Sequence, residues 1–263
     1  MVIAAADAGF DAVGFGFEHL YLNSRELAEI AHRLDEAALS VLDIEVVRIT
    51  PDDDNEVALR LVEYGAVLGA KHLLVVSNDA DEIRTADRFA EICAIAAEVD
   101  IRPVLEFMAF TAVTSLSSAV AIVERSGSKG GGVLIDSLHL ARCGDSAQDI
   151  ASFCPELFPY AQICDAPASA PLSRDVLATE ARHERLMPGA GELAIGELIL
   201  ALPPSTALSI EVLSDALDDL APLVRTSLTM EASRRMLESI GETRALSSLA
   251  DFTISRADMT GRG

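Results

Sequence analysis

Gly132-Val133-Leu134-Ile135-Asp136 runs straight into Ser137-Leu138-His139-Leu140, and the reading of that junction decides the fold. Val133–Ile135 is apolar without alternation. A strand wet on one face alternates polar and apolar residues, whereas a strand buried on both faces does not, and the latter marks a parallel sheet covered by helices. The same texture recurs at residues 11–17, 40–49, 72–77, 102–107, 160–165 and 207–212, most of them rich in Val, Ile, Leu and Phe. Each run is expected to be a strand.

Longer stretches with helical spacing lie between these runs. Residues 24–36 open on Ser24, and 56–68 stop at Gly69. Residues 85–99 place Phe89, Ile92, Cys93 and Ala96 on one face. A shorter helix is expected over 116–125, another over 192–202 before Pro203-Pro204, and one or two more within 215–240. Strand and helix alternate with no long linker, so a single (β/α) barrel over residues 1–263 is favoured over a doubly wound open sheet. Residues from about 241 onward read as a C-terminal helix or tail that frays.

The strand count is one short of eight. Residues 1–9 read as the end of a helix capped by Gly9, and such a helix normally follows a strand. Either the start of the chain has been placed too late, or the barrel closes in an unusual way. A gap or an irregular closure is expected between the first and last of these strands.

Composition narrows the function. Twenty basic residues against forty-two acidic ones give a net charge of −22. Such a surface repels nucleic-acid phosphates and anionic lipids, so neither is expected as a partner. Cys93, Cys143, Cys154 and Cys164 have no CxxC spacing, and a reducing cytoplasm is the simple expectation. No secretory signal and no bilayer-length apolar run is visible. A homodimer is the general prior for an oligomer, and no interface can be read.

Reactive groups of parallel barrels sit where strands end. Glu106 closes Pro-Val-Leu-Glu, Asp136 closes Val-Leu-Ile-Asp, Gln162 lies in Tyr-Ala-Gln-Ile-Cys-Asp, and Glu211 closes Leu-Ser-Ile-Glu. Each follows apolar residues, where a lone charge is costly to bury. A shared divalent cation, Mg²⁺ or Mn²⁺ with Co²⁺ as a third candidate, would offset that cost. The plainer alternative is four separate strand-end residues bonded to their loops. His139, three residues beyond Asp136, can reach a substrate or merely pair with an acid. Arg185, ahead of Pro188-Gly-Ala-Gly191, can bring its guanidinium over the barrel mouth or serve a surface ion pair. His32 and His72 read as structural. No GxGxxG or P-loop is present, which removes nucleotide binding.

With those residues assembled, the chain resembles the sugar-phosphate isomerase/epimerase family of the xylose isomerase-like TIM barrels. The matching segments are AGFDAVGF (8–15), GAKHLLVVSND (69–79), PVLEFMAF (103–110), VLIDSLHLARCGD (133–145), YAQICDAP (160–167), RLMPGAGEL (185–193) and LSIEVLSD (208–215). The resemblance implies one divalent metal held by Glu106, Asp136, Gln162 and Glu211, with His139 and Arg185 contacting substrate. It also implies an isomerase or epimerase acting on a ketose or related polyhydroxylated ketone through an enediolate. Glu106 and Glu211 would exchange the proton on opposite faces of the reacting carbon. The departure is Gln162, where many ketose epimerases carry histidine and some dehydroshikimate dehydratases carry glutamine. A dehydratase or lyase acting on dehydroshikimate, an inosose or a C-glycoside, with His139 as acid, is therefore the second expectation. A non-catalytic barrel is the third. An unphosphorylated sugar, cyclitol or shikimate-type ring fits the absence of a basic cluster.

Overall fold

The seven expected strands form where the apolar runs lie, and all pair in parallel with their chain neighbours. A computed structural model describes residues 1–52, 54–241 and 252–254. The strands are β1 (Ala12–Gly16), β2 (Ser40–Ile49), β3 (His72–Ser77), β4 (Arg102–Glu106), β5 (Gly132–Asp136), β6 (Tyr160–Ile163), β7 (Ala207–Ile210) and β8 (Phe252–Ile254). The helices are α1 (Val2–Ala8), α2 (Ser24–Ala37), α3 (Glu56–Leu68), α4 (Glu82–Ala97), α5 (Leu116–Arg125), α6 (Ser137–Cys143), α7 (Ala147–Ile150), α8 (Arg174–His183), α9 (Ile195–Ala201) and α10 (Pro222–Ser239).

The irregular closure expected between the first and last strands is supplied by β8. This three-residue segment pairs in parallel with β7 and with β1, and the barrel order runs β1 to β8. Helix α1 ends at Gly9, whose left-handed φ of 90° suits a residue without a Cβ. It packs on α10, where the Thr226 hydroxyl donates to the Ala4 carbonyl at 2.9 Å. Apart from β8, the expected tail from about residue 241 lies outside the described residues.

Helix boundaries move for identifiable reasons. The side chain of Asp81 accepts from the Ile83 and Arg84 amides, so α4 starts earlier than the apolar spacing indicates. Glu192 and Leu193 donate their amides to the Ala166 carbonyl and the Asp165 carboxylate, which delays α9. Pro222 opens α10, and a 3₁₀ turn at Asp215–Leu217 precedes it. Helix α8 was not expected. It is polar overall and buries only Glu180 and Ala181, so no apolar stripe marks it in the sequence.

Alternate residues point outward into the helix layer and inward into the barrel. The inner plug is Ala12, Leu42, Leu74, Val104, Leu134 and Tyr160. Among the described residues no helix is long and apolar enough to cross a membrane. Asp43 is fully buried on β2. Among the described residues no hydrogen bond of normal geometry reaches either of its oxygens. Burial drives its carboxyl up to about 7, the nearby Tyr160 hydroxyl offsets this only in part, and the Glu211 charge adds to it.

This makes stability pH-dependent, with a definite sign. A group whose folded pKa exceeds its unfolded one favours the fold at low pH, and that advantage is lost as pH rises through the folded value. Asp43→Asn is therefore expected to change stability little near pH 4. At pH 8 it should gain roughly 2–4 kcal/mol. Thermal melts at the two pH values check this, and equal gains at both would show that Asp43 is not the titrating group.

Candidate active site

The inward-facing positions at the C-terminal ends of the strands bring the expected residues together. Glu106 and Asp136 are the last residues of β4 and β5, Gln162 lies on β6 directly opposite Asp136, and Glu211 follows the last residue of β7. All four are buried, as are His139 and Arg185. Glu106, His139, Arg185 and Glu211 line a cavity of about 320 Å³, which opens past Glu18, His19, Arg48, Phe110 and Arg182.

Arg185 does not reach over the mouth. It is 3 % exposed and forms part of the floor. Its Nη1 donates to Asp136 Oδ2 at 2.6 Å and lies 3.1 Å from Glu211 Oε2, while its Nε donates to the Ala181 carbonyl at 2.7 Å. Its backbone is fixed on two sides. The Arg185 amide donates to the Leu213 carbonyl, and Leu186 and Asp165 exchange both backbone hydrogen bonds. The Asp165 carboxylate then accepts from the amides of Ala166, Gly189, Gly191 and Leu193, which sets the Pro-Gly-Ala-Gly turn. A Cβ on Gly191 would stand 2.5 Å from Asp165 Oδ1 and 2.4 Å from the Ala166 carbonyl oxygen, so the turn admits only glycine there.

Asp136 is the N-cap of α6. Its Oδ1 accepts the His139 amide at 2.9 Å, so His139 stands in the first turn of a helix rather than in an open loop. The His139 Nε2 lies 3.8 Å from Glu106 Oε1 and 3.4 Å from Arg185 Nη2, and its ring meets Phe110 edge-on at 5.5 Å. Burial pushes the imidazole down to about 4 against the pull of Asp136, and Arg185 adds to the push. It is therefore neutral at pH 7. Burial alone would raise Asp136, but the Arg185 guanidinium and then His139 hold its carboxyl below the usual carboxylate range. Glu106 sits well above that range because of burial, then the Asp136 and Glu211 charges.

Glu45 is the residue that the strand-end rule missed. It is buried beside these groups, and its Oε1 accepts from Gln162 Nε2 at 3.0 Å across the barrel. Strand β2 overshoots its neighbour, so Glu45 lies mid-strand in sequence but pairs with Gly16, the last residue of β1. The signal available was Asp43 and Glu45 alternating inside an otherwise apolar run.

Ligand atoms of Glu106, Asp136 and His139 all lie within 4.8 Å of one another. Glu45, Glu106, Asp136 and Glu211 are four buried carboxyl groups, two of which, Asp136 and Glu211, pair with the buried Arg185 guanidinium. That excess of carboxyl groups over cations and the oxygen-rich donor set fit a hard divalent cation.

The family model for the xylose isomerase-like TIM barrel matches residues 2–238. No curated protein matches the sequence. Among solved structures, an IOLI protein with a bound zinc atom superposes with a TM-score of 0.78 at 17 % identity, covering 90 % of this chain and 91 % of that one. An L-ribulose 3-epimerase follows with 0.70 at 16 %, covering 92 % and 89 %. A probable 3-DHS dehydratase of petrobactin synthesis from Bacillus anthracis gives 0.71 at 15 %, covering 89 % and 92 %. A fusion of a xylose isomerase-like TIM barrel with 4-hydroxyphenylpyruvate dioxygenase gives 0.76 at 20 %, and the chain spans 42 % of its length. At such identities the likeness to each structure is one of fold. The family match over nearly the whole chain and the parallel barrel it describes agree: this protein belongs to the xylose isomerase-like TIM barrel family.

Proposed function

We propose that this chain is a divalent-metal-dependent isomerase or epimerase acting on a ketose or related polyhydroxylated ketone through an enediolate. The observation that carries the reading is the convergence of Glu106, Asp136, Gln162 and Glu211 on one end of the barrel, with more buried carboxyl groups than the Arg185 guanidinium pairs with. The cavity volume suits a small sugar or cyclitol. Glu106, Asp136, Gln162 and Glu211 would hold the metal, with Mn²⁺ or Mg²⁺ as the natural occupants and Co²⁺ as another. A cation there supplies Lewis acidity toward a carbonyl oxygen and lowers the barrier to removing the neighbouring C–H proton.

The chain's own groups do the rest. Strands β4 and β7 stand three apart in the barrel, so Glu106 and Glu211 come from well-separated parts of the rim. One takes the proton from the reacting carbon and the other returns a proton to its opposite face. Neutral His139 presents an uncharged imidazole to a substrate hydroxyl. The Gln162 amide is oriented by Glu45, whose Oε1 accepts from Gln162 Nε2 at 3.0 Å.

A dehydratase is the second reading, favoured by Gln162 and by the likeness to the probable 3-DHS dehydratase. Proton removal would be the same, but the electron pair would then expel a β-hydroxyl, which would leave as water with the proton that the catalytic glutamate had taken, while neutral His139 donates a hydrogen bond to the departing oxygen.

Protein purified without chelator is expected to carry a single equivalent of divalent metal by elemental analysis, and Glu211→Ala is expected to lose it. Absence of metal even after soaking in Mn²⁺ would leave the chain a non-catalytic barrel.

A further inference from the structure

Three arginines line the cavity, and two of them are already matched. Arg48 is held by Glu18 at 2.7 Å, and Arg185 by Asp136 and Glu211. Arg182 is in no ion pair among the described residues. Its one hydrogen bond there is a long 3.4 Å contact to the Ala178 carbonyl of its own helix. Arg182 is exposed at the cavity edge, and what sets it apart from Arg25, Arg102, Arg125, Arg174 and Arg234, which also have no ion pair among the described residues, is that it lines the cavity.

Its setting is built rather than incidental. The Arg182 guanidinium lies 5.4 Å from the centre of the Phe110 ring, and that ring also meets His139. Phe110 is itself fixed from α8, because Arg174 at the start of that helix donates to the Phe110 carbonyl at 2.9 Å. One helix therefore clamps the loop after β4, lays Arg182 on its aromatic side chain, and leads into Arg185 in the floor. A flat cation held over an aromatic face keeps its edge N–H groups free for a planar or tetrahedral anion.

We infer that Arg182 is the recognition group for an anionic substituent on the substrate, a carboxylate or a phosphate. This rests on the cavity being the site of polyol chemistry proposed above, and it narrows the substrate class. The substrate is then a polyhydroxylated ring or chain that carries its negative charge at the end away from the reacting carbonyl, one aromatic ring's width from His139. A neutral sugar would leave Arg182 unused.

Calorimetric titrations with Mn²⁺ present test this on matched probes: shikimate against methyl shikimate, and D-fructose 6-phosphate against D-fructose. The wild type is expected to bind the charged member of one pair about tenfold or more tightly. The pair that shows the gap tells carboxylate from phosphate. The gap should close in Arg182→Gln, survive in part in Arg182→Lys, and stay in Arg125→Gln, which removes the same charge from the helix end leading into β5. Raised salt should narrow it. Equal binding within both pairs, or a gap that Arg182→Gln leaves untouched, overturns the role of Arg182 but not the polyol site. Binding of no probe to metal-loaded protein overturns both.

Discussion

Glu211→Gln is expected to cut turnover by about 10³-fold while leaving the fold in place, the usual scale for removing a positioned acid or base. Glutamine keeps the shape and one carbonyl oxygen but cannot take a proton. The loss should fall on kcat rather than KM, because the group acts as charge moves. Stability should hold or rise. The Glu211 charge helps push Glu106 and Asp43 upward, so removing it relieves repulsion among buried acids. Arg185 keeps its 2.6 Å partner, Asp136, in the variant. Kinetics on a panel of ketoses, an inosose and dehydroshikimate, with thermal melts alongside, check the pairing of lost turnover with kept stability. A variant with full turnover would refute the assigned role. A variant that is inactive and unfolded would show that Glu211 is chiefly structural.

The barrel was legible because burial on both faces leaves a signature in composition, and the strand-end acids because reactive groups of parallel barrels sit where strands end and three acids and an amide stood there together. What could not be read depends on register and on backbone bonds between distant segments. Glu45 needs the offset of β2 against β1 before it can be placed at the rim. Arg185 looks like a loop residue until Leu213, Leu186 and the Asp165 carboxylate are seen to draw its segment inward. Closure by β8 rests on three residues of a polar stretch, too few for periodicity to speak. The polar α8 hides for the opposite reason. Its length suffices, but it buries almost nothing, and both Arg182 and the approach to Arg185 depend on it.

Arg185→Ala should have the largest effect on stability. The guanidinium lies within ion-pair distance of both Asp136 and Glu211, and both acids are buried with it. Removing one partner of a buried pair costs about 3–5 kcal/mol, because the charges left behind are neither solvated nor matched. For a chain of this size the melting temperature should fall on the order of 10 °C. Lysine restores the charge but not the fork that spans Asp136 and Glu211, so Arg185→Lys should recover only part of the loss. A second readout separates this from ordinary loss of packing. With Arg185 gone, the same carboxylates can be neutralised by a divalent cation, so Mn²⁺ should raise the melting temperature more in Arg185→Ala than in the wild type. If Mn²⁺ raises both equally, the carboxylates that Arg185 holds are not those that would hold the metal. The guanidinium would then be a structural tie beneath the site rather than part of its charge balance.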